Sequence, residues 1–131
     1  MQVAIIGSRS FNDNLIFNNI VNSVFLKIGF PKKIISVGAS GTDSLAEAFA
    51  LKNNYDFEKF LPEFLNFPPG IANFEAPHAR NTLIAENSDI LIAFWDMKST
   101  GTLDTINKGI ERDKKIYIYD IKNKYIYLVL K

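Results

Sequence analysis

The feature that most constrains this chain is an alternation. Short apolar runs end at small or glycine-bearing turns, and each turn leads into a stretch with helical spacing. Val3-Ala4-Ile5-Ile6 stops at Gly7, and Ile34-Ile35-Ser36-Val37 stops at Gly38. Ile90-Leu91-Ile92-Ala93-Phe94 runs through Trp95 and Asp96 into Ser99-Thr100-Gly101-Thr102. A short strand that is apolar at nearly every position is buried on both faces, as strands of a parallel sheet are. Between the first two runs, Phe17, Ile20, Val21, Val24 and Ile28 recur at spacings of three and four. That is one face of a helix from about Asn14 to Ile28, with Asn12 or Asp13 as N-cap and Gly29 and Pro31 as its stop. This alternation predicts an α/β fold, a Rossmann-like three-layer sandwich.

The remaining segments extend the pattern. A second helix opens at Ser40-Gly41-Thr42-Asp43-Ser44 and Asn53-Asn54 breaks it; a third strand spans Phe57 to Leu61. Glu63 to Pro77, with Pro68-Pro69-Gly70 and Ala76-Pro77, reads as irregular. Helical spacing returns at Ala79, Leu83 and Ile84, which puts His78 and Arg80-Asn81 at the start of a helix. A cation there opposes the helix dipole, which reads either as a partner in a ligand phosphate or carboxylate or as a surface salt bridge. A fourth helix turns Leu103, Ile106 and Ile110 inward, Ile116 to Tyr119 forms a fifth strand, and Tyr125 to Leu130 forms a sixth, antiparallel to it. Right-handed crossovers leave few topologies; the expected order is near 3-2-1-4-5, with the sixth strand on the edge. The 131 residues suit one domain.

Composition excludes several functions. Cysteine is absent, so there is no disulfide framework, thiolate metal site or cysteine nucleophile. His78 is the sole histidine and no carboxylate cluster accompanies it, so no metal site is expected. With 15 basic and 14 acidic residues the net charge is +1, so nucleic acid is expected to be an unlikely partner. The start lacks a basic n-region and no run approaches the roughly 18 to 20 apolar residues of a membrane span, which predicts a cytoplasmic protein without membrane contact.

In open α/β sheets ligands sit beyond the carboxyl ends of the strands, where the strand order reverses. The first turn there is Gly7-Ser8-Arg9-Ser10-Phe11: Gly7 for close backbone approach, Ser8 as a hydroxyl donor, Arg9 as a fork for phosphate. The second is Gly38-Ala39-Ser40-Gly41-Thr42-Asp43 and the third Ser99-Thr100-Gly101-Thr102, each leading into a helix whose N-terminus favours anions. Each turn alone also reads as ordinary punctuation, with Gly7 in a tight turn and Ser40 or Asp43 as a cap. Trp95 reads either as a stacking surface for a base or as core. Phe57, Phe60, Phe64, Phe67 and Phe74 read as core cover or a subunit contact, and a homo-oligomer is expected.

The set Gly7-Ser8-Arg9-Ser10-Phe11-x-Asp13, Gly38-Ala39-Ser40-Gly41-Thr42-Asp43-x-Leu45-Ala46, Arg80-Asn81 and Asp89 through Asp96 with Ser99 to Thr102 resembles the YspA-like branch of the SLOG superfamily. The resemblance runs from about residue 2 to 120 and implies a nucleotide-binding Rossmann-like fold. The superfamily also contains Lonely Guy phosphoribohydrolases and the DNA-processing protein DprA. Against the Lonely Guy motif Gly-Gly-x-Gly-Thr-x-x-Glu, this chain keeps Gly101-Thr102, has Lys98-Ser99 for the glycine pair and Thr105 for the acid, and matches the upstream arginine with Arg80. Asp104 is adjacent to the acid position, about 100° away around a helix. Typical YspA-like chains also carry an Asp-Trp pair before Arg-Asn; Pro68 to Phe74 stands there instead.

The expected function is binding or sensing of a nucleotide or nucleotide-derived phosphate ligand, with no certain cofactor. The ligand-binding set is Gly7, Ser8, Arg9, Phe11, Gly38, Ser40, Gly41, Thr42, Asp43, Arg80, Asn81, Trp95, Ser99, Thr100, Gly101 and Thr102. An alternative is N-glycosidic hydrolysis of a nucleotide, with Arg80, Asp43 and Asp96 as its machinery. A third is a single-stranded DNA or protein interaction module.

Overall fold

The structure is a computed structural model and describes residues 1–38 and 40–129. Ala39 of the second turn and Leu130 of the last expected strand lie outside the described residues. The elements are β1 (Gln2–Gly7), α1 (Asn14–Ile28), β2 (Lys33–Val37), α2 (Thr42–Lys52), β3 (Asp56–Phe60), a 3-10 turn (Phe64–Asn66), α3 (Ala72–Asn87), β4 (Ile90–Trp95), α4 (Thr100–Glu111), β5 (Lys115–Asp120) and β6 (Tyr125–Val129). One sheet runs β3-β2-β1-β4-β5-β6, parallel except for β6, which pairs antiparallel with β5. The expected order and Rossmann-like layering are therefore both present. The order reverses beside β1: Val3 pairs with Ile34 of β2 on one side and Ile90 of β4 on the other.

Alternation along β1 divides the core. Val3 and Ile5 face Phe17 and Phe25 of α1 and Phe49 of α2, while Ala4 and Ile6 face Ile84 of α3 and Ile106 of α4. Local chemistry fixes the ends of α1 where the sequence places them. Asp13 Oδ1 accepts the Ile16 N–H at 3.0 Å, and Gly29 takes φ +94° while its N–H closes onto the Phe25 carbonyl at 2.8 Å.

Two expectations are corrected. First, α3 begins at Ala72 and runs through Pro77, so His78, Arg80 and Asn81 lie in its second and third turns. Pro77 removes one N–H that would reach the Asn73 carbonyl; Asn73 is exposed, so water can take that place. The dipole conflict drawn for Arg80 therefore does not hold, because that effect fades beyond the first turn. Second, Leu103 faces outward. The buried residues of α4 are Thr102, Thr105, Ile106 and Gly109. Gly109 lets the helix sit low on the sheet, since a Cβ there would stand 2.9 Å from Ile116 Cδ1. Of the phenylalanine-rich stretch, Phe57 and Phe60 pack against the two halves of the core, whereas Phe64 and Phe74 are exposed.

Candidate functional site

The turns after β1 and β4 meet around one pocket of about 430 Å³, whose lining includes Ser8, Arg9, Asp43, Arg80, Asn81, Asp96, Gly101 and Thr102. It lies at the carboxyl edge of the sheet, where the order reverses.

Ser8 ties the walls together. Its N–H donates to the Phe94 carbonyl at 2.9 Å, and its own carbonyl accepts from Thr42 Oγ1 at 3.0 Å. Its hydroxyl oxygen accepts the Asp96 N–H at 3.0 Å and contacts Ser99 Oγ at 3.1 Å. The buried Ser8 thus joins the first turn to α2 through its backbone and to the β4 turn through its side chain. Asp96 shapes that last turn, accepting the N–H groups of Lys98 at 2.9 Å and Ser99 at 2.7 Å. Burial pushes the Asp96 carboxyl up, but those two N–H groups and the Ser99 and Ser8 hydroxyls outweigh it and hold it below the ordinary carboxylate value.

At the head of α4 the first helical N–H to find a partner is that of Leu103, on the Ser99 carbonyl at 3.2 Å, and Ser99 makes no side-chain cap. The N–H groups of Thr100, Gly101 and Thr102 have no partner among the described residues. This is the unsatisfied end of a helix dipole, and Gly101 and Thr102 line the pocket. A Cβ added at Gly101 would meet nothing within 4 Å.

Across the pocket stand two guanidinium groups. Among the described residues neither Arg9 nor Arg80 forms a salt bridge. Arg80 Nε donates to Asn81 Oδ1 at 2.9 Å, and the buried Asn81 donates through Nδ2 to Asp104 Oδ2 at 2.9 Å. Asp104 also takes the Lys108 ammonium at 2.7 Å and lies 3.2 Å from His78 Nδ1. Burial lowers the Arg80 pKa; Asp43 opposes, Arg9 adds to the lowering, and Asp104 opposes. The group stays charged, so an anion in the pocket would relieve both its desolvation and its repulsion from Arg9. Burial raises the Asp104 carboxyl, but Lys108, Asn81 and His78 together hold it below its ordinary value.

Several expected site residues sit elsewhere. Phe11 is core, stacked on Phe94 with ring centroids 5.1 Å apart. Trp95 donates its indole N–H to the Ser99 carbonyl at 3.0 Å and packs against the core under α3 and α4. Thr42 is buried on the Ser8 carbonyl. Gly38 and Ser40 are absent from the lining, and Thr100 faces a separate groove between α3 and α4. Gly7 does line the pocket, yet its glycine answers to packing: a Cβ would fall 2.4 Å from the Phe94 carbonyl oxygen and 2.7 Å from Thr42 Oγ1. Thr105 and Ser10 belong to the lining although neither was in the expected binding set. Thr105 could have been found from α4, since it lies one turn after Gly101 and therefore on the same face.

No protein-family model and no curated protein matches this sequence. Among solved structures, the X-ray structure of DNA processing protein A (DprA) from Streptococcus pneumoniae matches with a TM-score of 0.67 at 21% identity, over 89% of this chain and 49% of DprA. The chain thus spans about half the length of that protein. At this identity the likeness speaks for the fold, and the fold is the one the SLOG resemblance implies. It also corrects one expectation. Nucleic acid was set aside on net charge, yet the same fold serves a DNA-processing protein. Phosphate contacts are made by a few local groups, so a chain-wide balance of charges does not decide against them. Among the described residues, no helix is long and apolar enough to cross a membrane, and no group of three or more His, Asp or Glu residues is placed to hold a metal ion.

Proposed function

We propose that this pocket binds a nucleotide or nucleotide-derived ligand through its phosphate, as a binding or sensing module of the YspA-like kind. The observation that carries the reading is Gly101. Glycine inside a helix is about 1 kcal/mol worse than alanine, and here packing gives no reason for it, because a Cβ would meet open space. Room for an anion to reach the N–H groups of the first turn does give a reason. Arg9 and Arg80 supply the opposing charges.

Cleavage of an N-glycosidic bond is the weaker reading. Asp96 is held ionised and so is a poor proton donor at neutral pH; Thr105 occupies the position of the family acid; Asp104 is engaged by Lys108, Asn81 and His78. Asp43, the other carboxylate of the lining, is buried and accepts the Ser36 hydroxyl at 2.8 Å.

Thermal-shift titration with purine mononucleotides, cyclic nucleotides, ADP-ribose, NAD and a short single-stranded oligonucleotide tests the reading. A ligand at a hundred times its Kd adds about 2.7 kcal/mol, a shift of several degrees for a domain of this size. A mononucleotide should produce such a shift and Gly101→Val should abolish it, with circular dichroism unchanged. No shift by any ligand at millimolar concentration would sink the reading. A shift with the oligonucleotide alone would move it to a DNA strand, and free base released by wild type but not by Arg80→Ala would restore hydrolysis.

A further inference from the structure

A second cavity, of about 480 Å³, flanks α3 on the side of β3 and the 3-10 turn. Its apolar walls are Leu61, Phe67, Ala76, Ala79 and Leu83, and Arg80 closes it toward the phosphate pocket. Ala76, Ala79 and Leu83 follow one another at spacings of three and four, so they form a single stripe on α3. Two methyl groups in that stripe leave a flat floor where longer side chains would have filled the space. Leu61 and Leu83 stand beside it 60% and 48% exposed, apolar surface that the chain itself does not cover. At the rim, Asn66 Nδ2 donates to Glu63 Oε2, which leaves Glu63 Oε1 and Asn66 Oδ1 as acceptors.

The two cavities divide the chemistry of a nucleotide between them. The first is lined by hydroxyls, guanidinium groups and carboxylates; the second offers an aromatic wall, aliphatic faces and acceptor oxygens suited to an exocyclic amine. Arg80 lines both, so a phosphate it holds brings the rest of the ligand to the mouth of the second. Resting on the phosphate reading above, we propose that the second cavity holds the heteroaromatic base of the nucleotide whose phosphate occupies the first. The groove on the opposite flank of α3 carries the Phe74–His78 pair, but His78 Nδ1 is engaged there by Asp104 and Lys108, so its edge is a charged network.

Calorimetric titration of the full chain with AMP and with ribose 5-phosphate separates base from phosphate. Wild type should bind AMP roughly ten- to a hundredfold more tightly than ribose 5-phosphate, the range expected for one stacked base. Ala79→Trp, which fills the cavity from an accessible helix face, should bring AMP down to the ribose 5-phosphate level and leave ribose 5-phosphate unchanged. Leu83→Gln, at an exposed position, should lose part of the preference. Arg9→Ala should weaken both ligands together. An unchanged AMP preference in Ala79→Trp overturns the proposal, as does a wild type that does not favour AMP. Collapse of the preference in His78→Ala instead would put the base in the opposite groove. Absence of binding by either ligand to wild type would remove the phosphate reading, and this proposal with it.

Discussion

Gly41 and Gly101 both stand at the head of a helix that follows a parallel strand, the first as N-cap and the second as the second helical residue, yet they are glycines for opposite reasons. Gly41 has φ +70° and ψ −123°, a conformation closed to side chains, and a Cβ would lie 2.1 Å from the Arg9 carbonyl oxygen. Gly101 has ordinary helical surroundings and open space where its side chain would be. The first glycine is demanded by the protein; the second leaves room for something that is not protein. Similar short glycine turns thus mark a structural joint on one side of β1 and a candidate ligand seat on the other.

The strongest test of that contrast is Gly41→Ala. Its backbone strain and the clash with the first turn should cost about 3 kcal/mol or more, lowering Tm by about 10 °C. Gly101→Ala should leave stability unchanged or raise it by up to about 1 kcal/mol. Equal losses in urea unfolding would erase the distinction.

A smaller effect is expected at Asp96, which holds the turn ahead of α4. Replacing it with Asn weakens its hydrogen bonds to two backbone N–H groups and should cost about 0.5–2 kcal/mol, the range for a lost helix cap. The pH dependence has a definite sign. Asp96 and Asp104 both titrate below the ordinary 3.8 in the folded chain. The stability they contribute is therefore present above that value and drains away as pH falls from it through their lower folded values. Tm measured against pH should fall less steeply on the acid side in Asp96→Asn than in wild type.

Asn81→Ala should lose about 1 kcal/mol for the hydrogen bonds to Arg80 and Asp104. Because Asn81 Oδ1 accepts from the Arg80 guanidinium, the variant should also weaken the proposed nucleotide binding severalfold. Unaltered binding would show that Arg80 needs no such guide.

The fold was legible because its signals are local. The unbroken apolar runs announce buried parallel strands, and Asp13 and Gly29 end their helix with their own atoms. The start of α3 was not legible, because Pro77 reads as a break along the sequence and is tolerated only where the Asn73 carbonyl can reach water. The site was half legible. Ser8, Arg9, Arg80 and Gly101 could be picked out by type and position, and the structure brings them to one pocket. Gly7 and Trp95 each kept two readings along the sequence, since what decides them is a carbonyl at Phe94 and another at Ser99. Only the pairing of β1 with β4 and the bend of the β4 turn bring those groups into place.

Ser8 carries one consequence further. A residue whose amide and hydroxyl hold the end of β4 and its turn while its carbonyl holds the head of α2 acts as a keystone between the two. A ligand that drew the β4 turn toward itself would load Ser8 through the Asp96 amide, and Ser8 would pass that load through its carbonyl to Thr42 at the head of α2. The carboxyl edge of the sheet is thereby one hydrogen-bonded unit, in which a pull on the turn ahead of α4 would be felt on the far side of β1.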